Sequence, residues 1–286
     1  MQESGNSKLY VVLLTTFALI AFAANSIICR MALGNAAIDP ASFSTIRLAS
    51  GAGVLWLIVK ASSGGKAGKH PGSWWSAAML FLYAAAFSFA YVSLNAGVGA
   101  LILFGAVQAT MITAGLLKGE RPSMLAWCGF IIALAGLVYL VFPGLAAPSF
   151  SGAALMAIAG FAWGIYSLRG LGITNPAAVT ADNFLRSIPM TAMVSLVLIP
   201  SLQLSLGGIL LAVLSGGLTS GVGYVVWYAA LRYLSATRAA MLQLLVPIIA
   251  AAGGVLLLSE QLTLRLILSS ILIIGGVGLT LKAKQQ

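Results

Sequence analysis

The residues of this chain best suited to chemistry are rings and amides rather than acids and bases. Tyr83, Phe87, Tyr91 and Asn95 recur at steps of four, and on a helix they form a stripe that rotates only gradually. Trp163 and Tyr166 stand in the middle of another apolar run, away from the levels where Trp and Tyr ordinarily gather at a membrane interface. Gln108 interrupts one further apolar run and Gln243, with Pro247 after it, another. In Leu214-Ser-Gly-Gly-Leu-Thr-Ser-Gly-Val-Gly-Tyr224 the spacing places Gly217, Ser220, Gly221, Tyr224 and Tyr228 on one helical face. Such surfaces hold a ring by stacking and its polar end by hydrogen bonds, the make-up of a site for a small ring-bearing molecule. Each feature also has a plainer use. The stripe serves equally as a packing seam closed by a capping Asn, and each Gln as glue between helices. Gly217 and Gly221 let helices approach, and Pro247 frees a backbone carbonyl.

Groups for making and breaking bonds are missing. There is no HExxH, no GxSxG and no Walker loop, and the one His, His70, lies in a basic, Gly-rich loop. Cys29 and Cys128 fall in different apolar runs with no metal-ligand spacing, so neither a disulfide nor a metal site is expected. Arg30 and Arg169 close their runs, where they can snorkel, and Asp182 and Arg186 can pair along one helix face. Glu120 and Glu260 stand at run ends, and the first, third, fourth, sixth and eighth runs hold no carboxylate. An obligatory proton-binding acid at the centre is therefore not expected. Neither is a cofactor, an ATP-driven cycle or an enzymatic activity.

The elements that must position these residues follow from composition. With 60% hydrophobic and 7% charged residues, the chain departs from a soluble globule, which carries about 25% charge. The net charge of +10 comes from bases at the ends of apolar runs, which marks topology rather than nucleic-acid binding. A spanning helix needs about 20 apolar residues. Ten runs qualify, near 9–31, 41–59, 74–95, 97–117, 123–142, 151–169, 177–199, 206–231, 237–258 and 263–281. The first resembles a signal peptide, but its apolar character continues to Met31 and the pattern recurs inside the chain. With both termini cytoplasmic, Lys8, Lys60, Lys66, Lys69, Lys118, Arg121, Arg169, Arg232, Arg238, Lys282 and Lys284 face the cytoplasm, and Arg30, Arg47 and Arg265 face outward, as the positive-inside bias requires.

The runs also repeat. Ala21-Phe-Ala-Ala-Asn-Ser-Ile-Ile-Cys-Arg30 is echoed by Gly160-Phe-Ala-Trp-Gly-Ile-Tyr-Ser-Leu-Arg169, Asp39-Pro40 by Asn175-Pro176, Tyr91-Val-Ser-Leu94 by Tyr228-Ala-Ala-Leu231, and Glu120 by Glu260. Two units, 1–146 and 147–286, with five spans each, must insert in opposite orientations because five is odd. Inverted repeats meeting around a central cavity are the mark of secondary transporters. The expected fold is an all-α membrane protein of ten transmembrane helices in two inverted five-helix repeats. In the echo, Trp163 answers Ala24 beside Asn25. A ring in one copy against a small side chain in the other fits symmetry broken at a ligand, or core packing.

On these features the chain resembles the EamA-type drug/metabolite transporter superfamily, a likeness that covers essentially its whole length. The segment Leu94-Asn-Ala-Gly-Val-Gly-Ala-Leu-Ile-Leu-Phe-Gly-Ala-Val-Gln-Ala-Thr110 resembles the YddG-type aromatic amino-acid exporters. That resemblance implies export of aromatic amino acids across a bacterial inner membrane by alternating access. Two departures bear on mechanism. Small four-helix multidrug relatives use a Glu in their first helix, where this chain offers Asn25, and organophosphate relatives use cavity Lys and Arg, which no span centre here supplies. The reading is a monomeric, facilitative exporter in the lipid bilayer. In it Trp163, Tyr83, Phe87 and Tyr91 stack on the ring, while Gln108, Asn95, Tyr224 and Gln243 contact its polar end. A broad multidrug or nucleoside exporter is the alternative, and a receptor or scaffold without a transport cycle the remote one.

Overall fold

The structure, a computed structural model, describes residues 2–62, 72–117, 123–142, 147–170, 173, 175–231, 233–234 and 242–283. Of the residues singled out above, Lys66, Lys69, His70, Lys118, Glu120, Arg121, Arg232, Arg238 and Lys284 lie outside these.

Lipid offers the backbone no hydrogen-bond partner, so apolar runs of this length fold as helices. The helices are α1 (Gln2–Gly34), α2 (Pro40–Ser62), α3 (Trp74–Tyr91), α4 (Ala96–Leu117), α5 (Met124–Val141), α6 (Phe150–Gly170) and α7 (Pro176–Val197). A short 3-10 turn (Ile199–Ser201) leads into α8 (Leu206–Leu214), a π-helical stretch (Ser215–Val222) and α9 (Gly223–Leu231), followed by α10 (Leu245–Leu258) and α11 (Leu264–Ala283). Among the described residues six helical stretches are long and apolar enough to cross a membrane, and Met124–Leu140, Leu245–Leu258 and Leu264–Thr280 are apolar but shorter. The chain is a multi-pass, all-helical membrane protein.

The echoed Asp-Pro and Asn-Pro pairs act as helix starts. Asp39 Oδ1 accepts the Ser42 N–H at 2.9 Å and Asn175 Oδ1 the Ala178 N–H at 3.2 Å. Pro40 and Pro176 follow at the first helical position, where a missing N–H costs nothing. Pro247 acts differently: it cannot donate to the Gln243 carbonyl, and the helix is interrupted at Leu244. One feature has no helical precedent in the sequence. Ile38 and Leu204 form an isolated antiparallel bridge, with Asp39 N–H donating to the Gln203 carbonyl at 2.9 Å, tying the α1–α2 turn to the segment before α8.

In packing, α2 lies on α7 and α5 on α11, while α6 packs against α3 and α4. Helix α1 packs against α8, the π stretch, α9 and α10, and α4 also meets α10. The buried core runs through the middle of the bundle, where Phe43, Phe87, Tyr91 and Phe184 are all 1% exposed or less.

Two expectations change. Helix α3 ends at Tyr91 rather than at Asn95, because the chain turns over residues 92–94 and Asn95 becomes the residue that precedes α4, its carbonyl accepting the Gly99 N–H at 2.9 Å. Arg47 is not an outward topology charge. It sits two turns into α2, 1% exposed, on the same inward face as Phe43, Gly51 and Leu55.

Candidate functional site

The middle of the bundle is a ring cluster with a polar wall. Trp163 on α6 lies 4.9 Å from the Tyr83 ring of α3, 5.0 Å from the Tyr224 ring of α9 and 5.7 Å from Tyr166, with which it is stacked. Phe87 continues from Tyr83 at 5.3 Å, and Phe22 of α1 meets Tyr224 edge-on at 6.0 Å. Phe22, Tyr83, Phe87, Trp163 and Tyr224, with Asn25, Ser26, Leu103, Phe104 and Thr219, line a cavity of about 20 Å³, room for about one water. A ring-bearing molecule enters it only if Trp163, Tyr83 and Tyr224 separate.

The polar wall comes from α1 and the π-helical stretch. Asn25 Oδ1 accepts from Ser215 Oγ at 2.7 Å and from Thr219 Oγ1 at 3.0 Å, and Cys29 Sγ stands 3.9 Å away. Ser215 and Thr219, both in the π stretch, converge on Asn25, while Ser220 in the same stretch faces Arg47. Such π stretches recur at functional positions in helices.

Behind Tyr83 and Phe87 lies Arg47. Its Nη2 donates to Tyr83 Oη at 3.1 Å and its Nε to Ser220 Oγ at 3.4 Å. The guanidinium sits 5.2 Å from the Tyr83 ring centre and 5.1 Å from that of Phe87, a cation–π arrangement. Its Nη1, like the Tyr224 hydroxyl, is buried without a hydrogen-bond partner among the described residues.

The residues expected at a site divide. Trp163, Tyr83, Phe87 and Tyr224 come together at the cavity. Tyr91 meets Phe87 edge-on at 4.7 Å but turns away, its hydroxyl donating to the Ala96 carbonyl at 3.2 Å. Asn95 is half-buried in the turn before α4, and Gln243 is half-buried before α10. Gln108 is buried one turn along α4 from Phe104. Gly217 lies against Val54, and Gly221 against the backbone of Gly51 and Gly216. Pattern reading missed Phe22, Asn25, Ser26, Leu103, Phe104 and Thr219 as lining residues, and misplaced Arg47. Its four-residue spacing from Phe43 and Gly51, both on the inward face of α2, was the available signal.

Each end of the bundle is held by polar contacts. At one, Arg30 pairs with Glu260 at 3.4 Å and its Nη1 donates to the Tyr91 and Val92 carbonyls, while Glu260 accepts the Ala96 N–H at 2.9 Å. At the other, Arg169 donates to Ser76 Oγ at 3.0 Å and Ser73 Oγ at 3.3 Å, and Asp182 accepts from Gly72 N–H and pairs with Arg186 at 3.0 Å. Between the Arg169 end and the central cavity stands Tyr166, whose other side faces a second, smaller pocket with Thr180, Asn183 and Tyr228.

Burial pushes the Glu260 carboxyl above its ordinary value of 4.5, against the opposing pull of the Ala96 N–H and Arg30. Between the ordinary and the raised value the folded chain binds more protons than the unfolded one, so this group's contribution to stability falls as pH rises through that window. Thermal unfolding in detergent is expected to show that decline in the wild type and not in Glu260→Gln. The same slope in both would exclude Glu260 as its source.

Comparison with known proteins fits this architecture. Residues 150–282 match the EamA-like transporter family. A Pseudomonas aeruginosa protein, PA1977, is 49% identical over 270 residues, spanning 94% of each chain. An Archaeoglobus fulgidus protein described as an uncharacterized transporter is 29% identical, with 68% of this chain and 70% of that one aligned. A solved crystal structure shares the fold with a TM-score of 0.70 at 18% identity, covering 96% of this chain and 99% of that one. Residues 150–282 thus match the EamA-like transporter family, and together with the transporter-named relative this supports a membrane transporter.

Proposed function

We propose that the chain is a facilitative exporter of aromatic amino acids and similar small amphipathic metabolites, working by alternating access across a bacterial inner membrane. The observation that carries this reading is the ring box itself. Trp163, Tyr83, Phe87 and Tyr224 surround one cavity whose polar wall is Asn25 and Thr219, so one compartment offers stacking faces and hydrogen-bonding groups side by side. A nonspecific apolar channel would need neither.

Alternating access rests on two inverted units, 1–146 and 147–286, of five spans each. Support comes from the packing, which survives exchange of the units. If α1 is exchanged with α6, α2 with α7, α3 with the α8–α9 rod, α4 with α10 and α5 with α11, then α2 on α7 and α5 on α11 map onto themselves. The contacts of α6 with α3 and α4 become those of α1 with α8–α9 and α10. Two near-equivalent halves can trade conformations, opening the centre to either side. With the N-terminus cytoplasmic, the Arg30–Glu260 cluster closes the outer end and the Arg169 cluster the inner one. Release outward then requires that the Arg30–Glu260 pair part while the Arg169 cluster stays closed below the substrate. All walls of the cavity come from one chain, so a monomer suffices.

The absence of a carboxylate from the lining residues favours movement down the substrate gradient over proton exchange. The substrate class is tested by competition in proteoliposomes loaded for labelled-phenylalanine counterflow. Tryptophan and tyrosine are expected to compete and threonine and uridine to have no effect. Equal competition by uridine or by an aromatic dye would replace this reading with the broad multidrug or nucleoside one.

A further inference from the structure

We infer that Arg47 is the anchor for a carboxylate on the transported molecule. The substrate class is thereby narrowed to anionic or zwitterionic ring compounds and excludes amines and neutral nucleosides. The aromatic part of this assignment rests on the reading above; the anion part stands on Arg47 alone.

A guanidinium in the middle of a membrane protein is expensive to bury and is normally paired with an acid. Here the described carboxylates are engaged elsewhere. Asp39 accepts from Ser42 and Gln203, Asp182 holds Gly72 and Arg186, and Glu260 holds Arg30 and Ala96. Arg47 is left with a tyrosine hydroxyl, a serine hydroxyl and two ring faces, all neutral. Two buried polar atoms here have no partner among the described residues: Arg47 Nη1 and Tyr224 Oη. Tyr224 lines the cavity, and Arg47 lies directly behind the Tyr83 and Phe87 rings that also line it. An unpartnered N–H of the buried guanidinium and an unpartnered hydroxyl at the cavity suit a carboxylate ligand. Tyr83 touches Trp163, with ring centres 4.9 Å apart, and Arg47, 3.1 Å away through its hydroxyl, so a substrate ring that displaces it from Trp163 can present its carboxylate to Arg47. Tyr83 Oη, already bonded to Arg47, moves with that opening. The charge is therefore covered by Tyr83 when the site is closed and by the substrate's carboxylate when it is loaded.

The test uses the full chain in detergent, reading ligand-induced thermal stabilisation and competition for labelled phenylalanine. Probes are 3-phenylpropionate, which has the ring and carboxylate without the amine, phenethylamine, which has the ring and amine without the carboxylate, and succinate and inorganic phosphate, which have no ring. Phenylpropionate is expected to bind and phenethylamine to bind at least about 10-fold more weakly, the usual worth of one charge-assisted hydrogen-bonded contact. Arg47→Gln is expected to abolish that difference and Arg47→Lys to keep part of it. Equal binding of the two ring compounds to the wild type, which needs no variant to fold, would overturn the proposal. So would a folded Arg47→Gln protein that still prefers the carboxylate. If succinate or phosphate alone binds and does so only with Arg47 present, the anion site stands and the aromatic reading falls.

Discussion

Trp163→Ala is expected to lower phenylalanine flux about 30-fold or more while the protein still reaches the membrane. The side chain touches Tyr83, Tyr224 and Tyr166 at once, so its removal takes one wall from the ring box. A substrate ring loses about 1.5 kcal/mol or more of apolar burial and a further 0.5–1.5 kcal/mol of face-to-ring interaction, which sets that factor. Trp163 is only half-buried, so the cost to folding lies at the low end for a large-to-small change. Trp163→Phe keeps a stacking face and is expected to recover most of the flux. Should the alanine variant unfold but the phenylalanine variant transport no better than it, Trp163 is a packing residue and not a substrate platform. Initial rates in proteoliposomes, normalised to the folded protein recovered by gel filtration, separate the two.

The second large effect is on the fold. A Cβ on Gly216 would stand 2.0 Å from the Arg47 carbonyl oxygen and 2.2 Å from Ser50 Oγ. The backbone of α2 is the obstacle, and α2 cannot withdraw without uncoupling Arg47 from Ser220 and loosening the π stretch that brings Ser215 and Thr219 to Asn25. Gly216→Val is therefore expected to destabilise the protein by about 3 kcal/mol or more, at the severe end of overpacking. Gly53→Ala is the control, because nothing lies within 4 Å of its added Cβ. It is expected to shift the melting temperature little. Equal melting temperatures for the two variants would show that the α2 contact does not hold the polar wall in place.

How far the sequence carries can be judged from particular residues. The helices were legible because lipid leaves an apolar run one fold to adopt, and the Asp39-Pro40 and Asn175-Pro176 echoes pointed to real helix starts. The stripe at steps of four was legible only in part. Tyr83 and Phe87 face the cavity, but a periodic count does not see the turn at residues 92–94 that carries Asn95 out of α3. Arg47 was misread because counting bases at span ends treats every Arg near a boundary as a topology marker. Two turns of helix and an inward neighbour on each side place it in the core instead. The π stretch could not have been foreseen from propensity. The Gly-rich sequence Ser215-Gly-Gly-Leu-Thr-Ser-Gly221 permits it, and packing against Arg47 and Asn25 selects it. The lining residues that were missed, Phe22, Asn25, Ser26, Leu103, Phe104 and Thr219, have a role that comes from which helices meet around them.

The measurement that bears most directly on the account is the initial rate of labelled phenylalanine entry into proteoliposomes of the purified chain, with and without an imposed pH gradient. The account predicts saturable entry down the phenylalanine gradient at a rate the pH gradient does not change, since the ring box holds no proton-binding carboxylate among its lining residues. Entry that occurs only when the pH gradient is imposed would contradict the facilitative mechanism, and no entry under either condition would contradict the substrate.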